Sequence, residues 1–300
     1  MRLFLRRASI LDILNLSFLA VILAFSLAVA GKTPHGMRLL SVFFLLILLL
    51  FSMGWVREEV GGGRWKRIGM FAYPVVFLFV IFESFYMILP FFNPYRFDPW
   101  MVRIDHALLG THPTLWFETW ITPWLTETLY ILYFFYFPMP LVVLGWMLGK
   151  GMIREIEESF FLFLVCYYGA WIVYFLVPVT GPRFHLDGMH TVPLDGYLLS
   201  EPVRKFIDVL EPNKLDCFPS LHAAILAVTM VVAFRYNRKM FLAFLPVALG
   251  ITVSLVYLRY HYVIDVIAGF AWAWASIRIA GATYRRYRHR FPCHFQGAGS

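Results

Sequence analysis

Apolar residues run along this chain in blocks of about 20, the length that carries a helix across the hydrocarbon core of a bilayer. Polar and charged residues collect in the stretches between them. Eight blocks are legible, at residues 10–30, 37–56, 69–92, 127–149, 157–178, 219–235, 240–258 and 260–281. Lipid offers backbone N–H and C=O groups no partners, so each block is expected to be a helix. The pattern predicts an all-α integral membrane protein with about eight transmembrane helices. It contains no strong internal repeat and no soluble second domain. Two longer stretches between blocks, 93–126 and 179–218, carry shorter elements. The first holds Trp100, Trp116, Trp120 and Trp124. Tryptophan at that level anchors in the headgroup layer, so one or two interfacial helices are expected, either guiding lipid or forming a plain aromatic belt. The second is expected to hold a short helix over 200–211, opening at Ser200 with Glu201-Pro202 behind it.

Composition agrees with the pattern. The chain is 60% hydrophobic and 15% charged, which excludes a soluble core protein. Its net charge of +8 raises the question of nucleic acid. The basic residues, however, lie between the blocks and at the ends, where they set topology, so no nucleic-acid partner is expected. Arg2, Arg6, Arg7, then Arg57, Arg64, Lys66 and Arg67, then Lys150 and Arg154, then Arg235, Arg238 and Lys239, then Arg285, Arg286, Arg288 and Arg290 all fall on one side of an eight-span chain. The positive-inside rule makes that side cytoplasmic. The first block ends in Ala28-Val29-Ala30, which has the form of a secretory cleavage site. The block is long for a leader, and an uncleaved anchor is expected; cleavage would leave seven spans in the same orientation. Three cysteines are too few for a disulfide framework. His289, Cys293 and His294 in the tail do not have convincing metal-ligand spacing.

The chemistry is concentrated in two places. Asp216-Cys217-Phe218-Pro219-Ser220-Leu221-His222 opens the sixth block and His261-Tyr262-Val263-Ile264-Asp265 opens the eighth. Both fall on the extracytoplasmic side. Pro219 suits the first turn of a helix, whose free N–H groups would face the membrane surface and attract phosphate. Ser220 adds a hydroxyl, and His222 can give a proton to a leaving oxygen. His261 and Asp265 stand four apart, as neighbours on one helix face do, so the carboxylate can accept from one imidazole nitrogen and leave the other to attack. Arg183 and Arg259 offer forked donors for phosphate oxygens. The set needs no metal and no cofactor. Taken singly, Pro-Ser-x-x-His reads as helix capping and His-x-x-x-Asp as interhelical glue; together, on one side and with two arginines, they read as a site. Glu83, in the third block, is expected to pair with an arginine as a structural tie. Tyr133 and Tyr136 are expected to pack.

These motifs resemble those of the type 2 phosphatidic acid phosphatase superfamily. Phe218-Pro219-Ser220-Leu221-His222 is similar to its second signature, and Val256 to Asp265, ending in His-x-x-x-Asp, to its third. Pro-Ser-Leu-His, Arg259-Tyr260-His261, Gly181-Pro182-Arg183 and the segment Asp98 to Gly110 resemble the branch of inositol phosphorylceramide synthase and its bacterial relatives. The likeness runs from about residue 70 onward. It implies a six-helix core preceded by two extra helices, hence two N-terminal helices over 1–68, a catalytic domain over 69–283 and a basic cytoplasmic tail over 284–300.

The resemblance also implies phosphoryl transfer through a phosphohistidine on His261. Asp265 is then its partner, His222 the acid, and Ser220, Arg183 and Arg259 the phosphate holders. It implies a lipid phosphate substrate in the bilayer, water or a hydroxyl as acceptor, and a bacterial inner membrane with the site on the extracytoplasmic side. Two departures stand out. Leu176 occupies the place of the first signature's lysine, and Ser254-Leu255 the place of a Ser-Arg pair. Arg259 is the candidate substitute, with Lys214 or His185 as further cations. An alternative without hydrolysis is a lipid scramblase or transporter. That class tends to show pseudo-symmetric halves and broken helices at mid-membrane, whereas the polar residues here gather at one surface.

Overall fold

A computed structural model describes residues 8–59, 64–211 and 213–295. Arg2, Arg6 and Arg7 lie outside the described residues, as do the side chains of Arg57, Arg64 and Arg67. The described chain is helical and contains no strand. The main helices are α1 (Ile10–Val29), α2 (Gly36–Glu59), α3 (Arg64–Ser84), α4 (Asp98–Leu109), α5 (Pro123–Phe134), α6 (Pro138–Gly149), α7 (Ile153–Leu176), α8 (Ser200–Leu210), α9 (Leu221–Tyr236), α10 (Arg238–Tyr257) and α11 (Val263–Tyr287). Among the described residues, seven stretches are helical, long and apolar enough to cross a bilayer, α5 and α6 counting as one of them. The eighth expected span, α9, has 16 residues, or about 24 Å at 1.5 Å per residue, short of a full hydrocarbon core. The molecule is an all-α integral membrane protein.

Contacts divide the chain into two compact units. The first comprises Met1–Phe92, Leu144–Tyr168 and Ser276–Ser300. Here α1 opens with a capping box, in which Ser9 accepts from Asp12 N and Asp12 accepts from Ser9 N at 2.8 Å. Asn15 donates to Tyr73 and accepts from Tyr168 at 2.7 Å, satisfying polar groups where lipid and packed side chains offer nothing else. His294 meets Ser9 Oγ through Nδ1 and Met70 O through Nε2, and its backbone N–H donates to Glu157. Glu83 is half-buried and feels the charge of Arg38.

The second unit, Asn93–Val143 with Gly169–Ala275, holds every candidate site residue. Its core joins Leu129, Tyr130 and Tyr133 of α5 to Leu255 and Tyr257 of α10, Ile207 of α8 and Ala223 of α9. The expected span over 127–149 is interrupted. Phe135, Tyr136 and Phe137 form a turn, and Pro138, which has no N–H to give, opens α6. Short helical elements stand in the stretch where interfacial ones are expected, as α4, Pro113–Trp116 and Phe117–Trp120, with all four tryptophans exposed. Ser200–Leu210 matches the expected short helix. Four successive backbone N–H groups, Tyr197 to Ser200, converge on the Glu127 carboxylate and hold its start.

Candidate active site

The local fold departs from the expected geometry at both motifs. Helix α9 starts at Leu221, not Pro219. Ser220 takes the cap position and accepts from Ala223 N at 3.2 Å, because a serine oxygen can satisfy a first-turn N–H and proline cannot. Ser220 is fully buried, and its own N–H donates to Asp265 O at 3.0 Å. Gly269 of α11 lies against Ser220; a Cβ there would meet the Ser220 carbonyl oxygen at 2.3 Å, so only glycine lets the two helices approach this closely.

His261 and Asp265 do not share a helix face. Helix α11 begins at Val263, two residues after the histidine. Asp265 folds back as a cap instead, with Oδ2 accepting from Tyr262 N at 2.9 Å. The nearest His261–Asp265 approach, Nδ1 to Oδ2, is 3.7 Å, beyond a hydrogen bond. The Cys217 thiol lies between them, 2.9 Å from Asp265 Oδ2 and 3.3 Å from His261 Nδ1. Burial pushes the Cys217 thiol well up, and the neighbouring Asp265 adds to it. From α4, Asp105 accepts from Val263 N and Ile264 N, both at 2.8 Å, and so fixes the first turn of α11.

The two histidines meet. His222 Nδ1 is 3.1 Å from His261 Nε2. His222 Nε2 is 2.7 Å from Glu211 Oε1 and 2.8 Å from the Tyr133 hydroxyl. Tyr133 is therefore a direct partner of His222 as well as a packing residue, which its place in an apolar block did not signal. Tyr136, in the turn between α5 and α6, sets its ring 4.4 Å from that of His222. Glu211, just past α8, was also missed by the sequence reading.

The two arginines come together through the backbone, Arg183 N donating to Arg259 O at 2.8 Å, while their guanidinium groups point to different acids. Arg183 makes a two-pronged pair with Asp208, at 2.6 and 2.9 Å. Burial would raise the Asp208 carboxyl, but the Arg183 bonds outweigh it and hold it below the usual range. Arg259 donates to Glu118 at 2.8 Å and to Val192 O, while its Nε has no hydrogen-bond partner among the described residues. Arg259 takes a positive φ of 65°, and burial lowers its pKa. Gly181, at φ 91°, lets the Arg183 loop pass Tyr260 O, which a Cβ would meet at 2.9 Å. Asp98 anchors the same loop by accepting from Thr180 N, Thr180 Oγ1, Gly181 N and Tyr262 OH. Lys214 is 4.0 Å from Asp208, and His185 is exposed.

Cys217, His261 and Asp265 are the described residues whose donor atoms lie close enough to hold a metal, within 4.8 Å of one another. They are already joined to each other by the thiol contacts. The centre is thus a buried histidine, His261, facing a half-buried one, His222, both backed by acids, set in an all-α membrane protein. A family model described as the PAP2 superfamily matches residues 99–279, and the chain belongs to that superfamily. Its members are phosphatases or phosphotransferases. No curated protein and no solved structure matches the chain.

Proposed function

We propose that this chain cleaves a lipid phosphate or phosphodiester through a phosphohistidine on His261. The observation that carries the reading is the 3.1 Å contact between His222 Nδ1 and His261 Nε2, with Glu211 on the far nitrogen of His222. In the proposed reaction His261 Nε2 attacks phosphorus and forms the N–P bond as the P–O bond to the lipid breaks. The leaving oxygen takes a proton from His222. Water or a hydroxyl then attacks the phosphorus, returns a proton to His222 and breaks the N–P bond. An attacking atom about 3–3.5 Å from phosphorus, on top of a hydrogen bond of about 3 Å to the leaving oxygen, needs more room than the rings leave, so they part when phosphate enters. Arg183, Arg259 and Ser220 are assigned to the phosphate oxygens, and the unpartnered Arg259 Nε supplies a donor not already committed to an acid.

The Pro-Ser-Leu-His and Arg-Tyr-His sequences support the inositolphosphotransferase-like branch, in which a hydroxyl rather than water is the acceptor. The distribution of basic residues supports a site on the extracytoplasmic side of a bacterial inner membrane. The interruption of the α5–α6 span at Phe135–Phe137 favours the second reading, a scramblase or transporter. One experiment separates them: purified protein in vesicles with a panel of labelled lipid phosphates, with and without hydroxyl acceptors, and product identification. Release of phosphate or a transferred headgroup is expected. Lipid crossing between leaflets with no bond cleaved would overturn the proposal.

A further inference from the structure

We propose that Cys217 is a positioning residue whose thiol bridges Asp265 to His261 and fixes the tautomer that leaves Nε2 free. The inference rests on His261 being the nucleophile. A His–carboxylate pair normally orients the ring by a direct bond. Here the nearest approach is 3.7 Å, while Asp265 Oδ2 accepts from both Tyr262 N and the Cys217 thiol. Sulfur fills the interval. A carboxylate only accepts, so the S–H donates to Oδ2, and the sulfur is left to accept from Nδ1–H. The neighbouring Tyr260 O, 3.3 Å from Sγ, is a longer and uncharged alternative acceptor and competes poorly.

The chain order N–H···S–H···O puts the His261 proton on Nδ1. The lone pair then lies on Nε2, the atom that faces His222. When Nε2 bonds to phosphorus the ring becomes cationic, and its Nδ1–H keeps a polarisable acceptor backed by a carboxylate. The backbone holds the thiol in place: Cys217 N donates to Val179 O, and Gly181 leaves room beside the sulfur, which a Cβ would approach at 3.1 Å. Burial keeps the group a thiol, and therefore a donor.

The test uses full-length protein carrying ¹⁵N-histidine, with His261 assigned by the signal missing from His261→Gln. Wild-type His261 is expected as the Nδ1–H tautomer. Cys217→Ser, which keeps a donor and an acceptor, retains it; Cys217→Ala mixes or inverts it. In turnover Cys217→Ala lowers kcat about 10–100-fold, the range typical of an outer-shell orienting partner, with KM unchanged, and Cys217→Ser restores most of the loss. An Nε2–H tautomer in the wild type overturns the proposal without any variant. So does a Cys217→Ala protein with unaltered tautomer and kcat, since Asp265 would then reach the ring unaided. If His261→Gln itself still turns over, it is the phosphohistidine reading that fails, and the tautomer result judges the bridge separately.

Discussion

At the scale of single residues, the proposed reaction divides the labour between two histidines with different partners. His222 touches Glu211 and Tyr133, and His261 touches Cys217. General acid catalysis contributes about 10²–10⁴-fold, most of it needed when the leaving group is a lipid alkoxide. His222→Ala is therefore expected to lose about that much on lipid and to recover substantially with an activated aryl phosphate. His261→Ala should recover with neither, and Glu211→Gln should show the His222 pattern in milder form. Acid-labile, base-stable phosphate trapped on His222, or an active His261→Ala enzyme, would reverse the roles. Because the assigned phosphate donors are arginines and a serine, activity should persist in excess chelator; loss restored by a divalent ion would direct attention to Cys217, His261 and Asp265. Asp216 provides a pH readout away from the transfer step. Burial, with Glu211 nearby, pushes its carboxyl from the usual value up to about 7. The folded state therefore holds a proton that the unfolded chain has released, so Asp216 costs stability as pH rises from about 4 to 7 and nothing further above that. Asp216→Asn should raise the melting temperature at pH 8 and match the wild type near pH 4. Equal melting temperatures at both pH values would show that Asp216 is not shifted.

At the scale of elements, what places the site is a set of carboxylates that tie one element to another. Asp105 of α4 caps α11, Asp98 anchors the Arg183 loop, and Glu127 of α5 starts α8. Asp105→Ala would leave the Val263 and Ile264 N–H groups without an acceptor. A lost cap of this kind costs about 0.5–2 kcal/mol, and the displaced turn carries Asp265. A lower melting temperature together with reduced kcat is expected, and Asp105→Asn, which keeps one acceptor, should fall between. An Asp105→Ala enzyme with both properties intact would mean that α11 starts correctly without help. Apolar blocks located the helices well because length and hydropathy are local properties. Helix starts were harder to read. Pro219 suits a first turn, but Ser220 can accept from Ala223 N and so took the cap. At α11 the helix begins at Val263, after His261, so the two residues do not share a helix face and Asp265 caps Tyr262 N, which spacing alone could not reveal.

At the scale of the whole molecule, the motifs singled out in the sequence fall in one unit, together with partners that the sequence did not signal. His222, His261, Asp265 and Ser220 are linked through hydrogen bonds, with the Cys217 thiol standing between His261 and Asp265. Glu118, Asp208 and Glu211 were not singled out, because an acid between apolar blocks looks like ordinary solvated charge until the fold brings a histidine or an arginine to it. Sidedness is the molecular property on which the proposed substrate access depends, and it rests on the placement of basic residues. Asp187, Asp195 and Lys239 are all exposed, so cysteines placed there would be open to reagent. Cys166 and Cys217 are buried and can stay, with Cys293→Ser removing the half-buried third thiol. A membrane-impermeant maleimide added to intact cells is expected to label Asp187→Cys and Asp195→Cys and to spare Lys239→Cys until the membrane is opened. The parent without added cysteines gives the background. Labelling of Lys239→Cys alone would invert the chain, place the histidine pair on the cytoplasmic side, and require a substrate drawn from the inner leaflet.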